Sequence, residues 1–169
     1  GVYGPIYYDG RLRSRKFVGR LAAECRDCWG GACTAGCPAG IDVPGFIRCF
    51  SEGDIKWAYE IIRMKNILPE TCAYACPSGV LCEKGCTAGI LDRHSVPIHE
   101  IQKFIAAEAR EKGWSRVRGG VPNGRRVAVI GFGPAGIACS AHLVEKGFKV
   151  TVFEASGRVG GAASAVIPY

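Results

Sequence analysis

Residues 25–38 read CRDCWGGACTAGCP, and residues 72–86 read CAYACPSGVLCEKGC. The first run spaces its thiols as Cys25-x2-Cys28-x4-Cys33-x3-Cys37-Pro38. The second spaces them as Cys72-x3-Cys76-Pro77-x4-Cys82-x3-Cys86. Nine of the ten cysteines lie between Cys25 and Cys86, and only Cys139 lies outside. The N-terminal stretch GVYGPIYYDGRLRSRKF lacks the apolar segment of a signal peptide, which points to a cytoplasmic protein. In that setting dense cysteines are expected to hold metal rather than disulfides. A cubane cluster presents separate iron corners, so closely spaced thiols on an irregular loop can each take one. A Cys-Pro step turns the chain away toward the next site. Backbone N–H groups at Gly30, Gly31, Gly36 and Gly40 are expected to bond to cluster sulfurs. Two four-cysteine zinc sites are the alternative. Four cysteines within thirteen residues, without two well-separated pairs, favour two [4Fe-4S] clusters.

Outward from these runs, the chain divides into four parts. Residues 1–24 form a basic, aromatic N-terminal segment ending in a short helix. Residues 25–112 carry the cysteines. Residues 113–126, GWSRVRGGVPNGRR, read as a linker, and residues 127–169 as the truncated start of a nucleotide-binding domain. Inside the cysteine region the pattern predicts a helix from Pro44 to about Ser51, and a second from Asp54 to Lys65 with Asp54 as N-cap. The stripe Ile55, Ala58, Ile61 and Ile62 faces its core. A third helix is predicted from about Val96 to Lys112, with Ser95 as N-cap and Pro97 in the first turn. Its apolar face is Ile98, Ile101, Ile105 and Ala109, and Gln102 shares that face. Cys49 and Cys139 are expected to be small core residues. His94, His99 and His142 are expected in surface or capping roles.

Arg126–Ile130 reads as a buried strand, followed at once by Gly131-x-Gly133-x-x-Gly136 and a helix to about Lys146. Lys149–Phe153 is the second strand, with Glu154 at its end. A strand, a glycine turn, a helix and an acid about twenty residues on make a dinucleotide fingerprint. The glycines let a pyrophosphate approach the helix N-terminus. Glu154 is placed for ribose hydroxyls. FAD and NAD share this turn. The continuation to Gly160-Gly161 resembles the two-dinucleotide-binding flavoprotein pattern, which favours FAD, and Pro134 and Ala135 match its GxGPAG form.

The stretches ECRDCWGGACTAGCPAGIDVPGFI and TCAYACPSGVLCEKGC together resemble the N-terminal iron–sulfur domain of the glutamate synthase small subunit and of dihydropyrimidine dehydrogenase. The resemblance covers about residues 20–169. It implies an α-helical domain with two [4Fe-4S] clusters, followed by an incomplete α/β Rossmann-like FAD-binding domain. It also implies crossed ligation. Cluster one would use Cys25, Cys28, Cys33 and Cys86. Cluster two would use Cys37, Cys76 and Cys82, with a non-cysteine fourth ligand that falls on Gln102. Cys72 is the rival, and the alternative role for Gln102 is a hydrogen bond to a buried carbonyl. The FAD residues implied are Gly131, Gly133, Pro134, Ala135, Gly136, Glu154, Gly160 and Gly161. No catalytic side chain is implied.

The expected function is electron transfer within an NAD(P)H-dependent oxidoreductase, between FAD, two clusters and a redox partner subunit or domain. NAD(P)H would be bound by a part not present in this sequence. A zinc-stabilised interaction module with a nucleotide-binding end, and an NAD-binding dehydrogenase with structural clusters, are the contrasting readings. The formal charge of +7 is carried by scattered basic residues. Seven thiolates on two clusters of core charge about +2 would lower it by about 3, and FAD by about two more. Nucleic-acid binding is therefore not expected. No apolar run approaches the roughly 20 residues of a membrane span. Two strands and one helix cannot cover both faces of a sheet or enclose FAD, so the chain is expected to be a fragment, or to be completed by further chain or a partner.

Overall fold

The computed structural model describes residues 14–92 and 94–166. The first thirteen residues of the N-terminal segment, and the last three of the chain, lie outside the described residues. Helix α1 (Arg15–Ala23) starts at Ser14, whose hydroxyl oxygen accepts the Phe17 N–H at 3.3 Å. A short helix α2 (Ala32–Ala35) lies inside the first cysteine run. Helix α3 (Val43–Ser51) begins one residue before the predicted Pro44, because Asp42 is the cap and accepts the Gly45 N–H at 3.1 Å. Helix α4 (Ile55–Lys65) is capped by Asp54, which accepts the Trp57 N–H at 2.9 Å, as the sequence predicts. Helix α5 (Pro69–Ala75) leads to Cys76, and α6 (Thr87–Asp92) follows Cys86.

Helix α7 (Ile98–Glu111) is shorter at its start than predicted. Ser95 is not its cap. The Ser95 hydroxyl donates to the Glu83 carbonyl at 2.9 Å. Glu83 itself, from the second cysteine run, accepts the His99 N–H at 3.1 Å and so satisfies the helix start from a distance. Ile98, Ile101, Ile105 and Ala109 are buried as predicted, and Gln102 is buried with them. They meet Phe46, Ile47, Tyr59 and Ile62 from α3 and α4 in one core. Phe50 and Phe104 pack edge to face, with centroids 5.7 Å apart. Burial of these large apolar side chains is the main force holding the helices together.

Strands β1 (Arg126–Ile130) and β2 (Lys149–Phe153) pair in parallel, Arg126 opposite Lys149 and Ile130 opposite Phe153. Between them runs α8 (Pro134–Glu145), and a short α9 (Gly161–Val166) closes the described chain. Val127, Val129, Val150 and Val152 alternate with exposed neighbours and face α8, whereas Ile130 and Phe153 stay exposed. Cys139, expected in a core, is exposed on α8, and Cys49 is half-buried at the edge of the helical core. A single helix covers only one face of the sheet, so the face carrying Ala128 and Thr151 stays exposed.

Candidate metal centre

The first cysteine run is fastened at several points. Gly31 N–H donates to the Cys28 carbonyl at 3.1 Å, and Val43 N–H donates to Thr34 Oγ1 at 3.1 Å. Arg26 bonds Asp92 at 2.6 Å, and Arg48 bonds Asp27 at 2.8 Å. Contrary to the expected irregular loop, Cys33 lies on α2, and Cys72 in the second run lies on α5. A Cβ on Gly36 would sit 2.9 Å from the Leu81 carbonyl oxygen. Only glycine allows that approach, and it lays one run across the other.

The crossing sorts the thiols into two groups. Cys25, Cys28, Cys33 and Cys86 line one cavity, walled by Val43, Pro44 and Ile47. Cys37, Cys72, Cys76, Cys82 and Gln102 line a second, of about 170 Å3, with Asn66 and His99 in its wall. Among the described residues, no three His, Cys, Asp or Glu side chains converge as a single ion requires. A tetrahedral zinc site holds its sulfurs about 2.3 Å from one centre. Thiols ringing a cavity suit a group with several metal corners instead. Burial pushes the Cys33 thiol up to about 11 and the Cys82 thiol up to about 12, and neighbouring thiols add to both shifts. At neutral pH such thiols keep their protons until metal charge displaces them. Of the glycine N–H groups expected to meet cluster sulfurs, those of Gly31, Gly36 and Gly40 donate instead to the Cys28, Ala32 and Cys37 carbonyls.

The Gln102 side chain is anchored at one end. Its Nε2 donates to the Pro69 carbonyl at 2.8 Å. A carbonyl can only accept, so the amide's orientation is chemically determined. Gln102 therefore does bond a buried carbonyl, yet it still lines the cavity, and its Oε1 makes no hydrogen bond among the described residues. The residue is only 8% exposed. An amide oxygen that opens on the cavity has lone pairs to offer, and a metal corner would engage them.

Two wall residues escaped the sequence reading. Asn66 Oδ1 accepts the Leu68 N–H at 2.9 Å and the Cys72 thiol at 3.7 Å. His99, expected at the surface or in a cap, bonds Glu83 at 2.6 Å and Glu100 at 3.3 Å through its two ring nitrogens. Those carboxylates, Glu100 first, raise His99 to about 9 and outweigh its burial. His99 lies three residues before Gln102, so helical spacing was the signal that could have placed it on the same cavity.

At the other end of the described chain, Gly131 N–H donates to the Phe153 carbonyl at 2.7 Å, closing the turn after β1. Gly133 caps α8 with no side-chain partner, leaving Pro134, Ala135 and Gly136 in its first turn. Gly160 N–H donates to the Phe132 carbonyl at 2.9 Å, and Gly161 lies against Gly133. Glu154, expected to face ribose hydroxyls, accepts the Phe132 N–H at 2.7 Å and the Ser156 N–H at 2.8 Å. Leu68 and Thr71 of the α5 segment share a cavity of about 200 Å3 with Pro134, Ile137 and Gly160. The helix carrying Cys72 and the nucleotide turn thus wall one cavity.

The fold and these cavities define a thiol-lined, cluster-type metal domain joined to the start of a dinucleotide-binding fold. Residues 12–114 match the family model for dihydropyrimidine dehydrogenase domain II, 4Fe-4S cluster, and the chain belongs to that family. Residues 129–166 match the NAD(P)-binding Rossmann-like domain. The chain is 36% identical over 168 residues to the glutamate synthase [NADPH] small chain of Escherichia coli K12, covering 99% of this chain and 34% of that protein. It is 35% identical over 143 residues to the Azospirillum brasilense protein of the same name, covering 83% and 29%. It is also 35% identical over 140 residues to the NAD-dependent dihydropyrimidine dehydrogenase subunit PreT of E. coli K12, covering 83% and 34%. The chain spans about a third of the length of these relatives. Among the described residues no helix is long and apolar enough to cross a membrane.

Proposed function

We propose that this chain is the electron-transfer part of an NAD(P)H-dependent oxidoreductase, with two [4Fe-4S] clusters in residues 25–112, a linker over 113–126 and FAD at the 127–169 unit. When bound, a flavin supplies two-electron to one-electron conversion, and cubanes supply one-electron relay. The observation that carries the reading is the pair of thiol-lined cavities, the second of which is lined in part by α5, the helix that also lines the pocket at the nucleotide turn. Cys25, Cys28, Cys33 and Cys86 would hold one cluster. Cys37, Cys76, Cys82 and Gln102 would hold the other. Val43 and Ile47 exclude water from the first cavity, and Ile41 and Leu81 do so for the second. Gly131, Gly133, Pro134, Ala135 and Gly136 would cradle the FAD pyrophosphate, with Gly160 and Gly161 closing over the turn and Glu154 holding its shape.

Helix α5 lends Cys72 and Ala73 to the second cavity and Thr71 to the pocket at the nucleotide turn. At the first, Trp29, next in the chain to Cys28, is exposed, and Arg26 ties the loop to α6, which exposes Ile90 and Leu91. This supports entry of electrons at the second site and exit toward a partner at the first. The test is composition. Protein containing this chain, purified without oxygen, should carry about eight iron and eight acid-labile sulfides, and should release FAD on denaturation. A colourless protein with stoichiometric zinc overturns the cluster reading. Release of NAD instead of FAD overturns the flavin assignment.

A further inference from the structure

We infer that Cys72 is a reserve ligand of the second cavity, held aside by Asn66 while Gln102 Oε1 occupies the fourth metal corner. This rests on the proposed loading of that cavity. The cavity has five donors, Cys37, Cys72, Cys76, Cys82 and Gln102, whereas a cubane takes four. Cys72 is therefore surplus, yet it is not turned away. It stands four residues before Cys76, and residues so spaced share one helix face. The Cys76 N–H donates to the Cys72 carbonyl at 2.9 Å, so the backbone carrying the two thiols is fixed while the Cys72 side chain can turn.

The two rivals for the last corner hang on the same turn of chain. Gln102 Nε2 holds the Pro69 carbonyl at 2.8 Å, and Cys72 lies three residues further along α5. Exchange between them needs no shift of α5 against α7. What keeps Cys72 out is its thiol hydrogen bond to Asn66 Oδ1, long at 3.7 Å. A thiol is a weak donor, so this restraint is easily broken. Asn66 stays in place without it, because its oxygen also accepts the Leu68 N–H at 2.9 Å. In the exchange the oxygen–iron bond to Gln102 breaks and a sulfur–iron bond to Cys72 forms. The thiol proton leaves to solvent. No electron is transferred, and the site gains one negative charge, which lowers its potential.

The experiment compares four forms of the full chain by iron content, EPR and reductive titration. Wild type and Cys72→Ser should each hold about eight iron and give the same spectrum. Gln102→Leu should still hold about eight, with one cluster's signal changed and its potential lowered. Gln102→Leu combined with Cys72→Ser should fall to about four, with the other cluster's signal intact as the control for folding. Gln102→Asn, which withdraws the oxygen but keeps a polar amide, must behave as Gln102→Leu does. A fall to about four iron in both Gln102 single variants overturns the reserve role while leaving the Gln102 assignment standing. Retention of about eight in the double variant overturns it as well. Loss of one cluster in Cys72→Ser alone, or about four iron in wild type, would sink the underlying assignment instead.

Discussion

Gly136 stands where no side chain can be carried. A Cβ there would overlap the Gly131 carbonyl oxygen, inside any real contact. Relief requires the turn to open, which moves the first N–H groups of α8 away from a pyrophosphate. Gly136→Ala should therefore weaken FAD retention by about tenfold or more, since that corresponds to only about 1.4 kcal/mol. Iron content should not change, because the thiol cavities contain no residue of this turn. Quantifying FAD and iron in the same sample checks both halves of the statement, and parallel loss of both would contradict it. This residue was readable in the sequence because the glycine spacing is local. Gln102 was readable for a similar reason: helical periodicity alone puts it on the buried face. Asn66 was not, because its work on Cys72 depends on how the loop before α5 folds back.

Helix α7 shows what local reading misses at the scale of an element. Ser95 and Pro97 form a persuasive start signal, but the cap arrives from Glu83, sixteen residues before His99. Glu83 also bonds the His99 ring at 2.6 Å. Burial alone would push the Glu83 carboxyl up, but the His99 bonds outweigh it and hold the group below its usual range. A through-space cap leaves no mark in the spacing of residues around the helix. Its loss should nevertheless cost what other caps cost, about 1–2 kcal/mol. Glu83→Ala should lower stability by that amount in chemical denaturation. Glu83→Gln should recover a good part of it, since an amide oxygen still accepts from the His99 N–H. Equal losses in the two variants would mean that charge matters here and the cap does not. Helix α3 was readable from Pro44 in its first turn, although its cap Asp42 was missed, and α4 was readable because Asp54 caps it from within its own turn. The short helices α2, α5 and α6 were not, because each is too brief to show a period and exists through its packing and turn contacts.

Across the whole molecule, the glycine-rich stretch between the two units is more than a tether. Gly120 N–H donates to the Val144 carbonyl at 2.9 Å, and Asn123 bonds the Gly147 and Lys146 carbonyls at 3.0 Å. These contacts satisfy the carbonyls at and just beyond the end of α8, so the stretch is docked on the nucleotide unit. Composition predicts the linker but not its docking, because the partners are backbone atoms. The helical unit is held to the same place by Arg63 of α4, whose guanidinium meets Glu145 of α8. Arg63 is well shielded, at 14% side-chain exposure, and Glu145 is 33% exposed. Trp114, Arg116 and His142 line a cavity of about 280 Å3 around them. A partly shielded, charge-assisted pair should couple the units more strongly than a surface pair does. A double-mutant cycle with Arg63→Met and Glu145→Gln should give a coupling of about 1–2 kcal/mol, above the few tenths typical of exposed pairs. Each single variant should also speed proteolytic cleavage between Arg118 and Gly124 while leaving iron content unchanged. A coupling near zero with unchanged cleavage would mean that the two units are held together by the remainder of the protein and not by this contact.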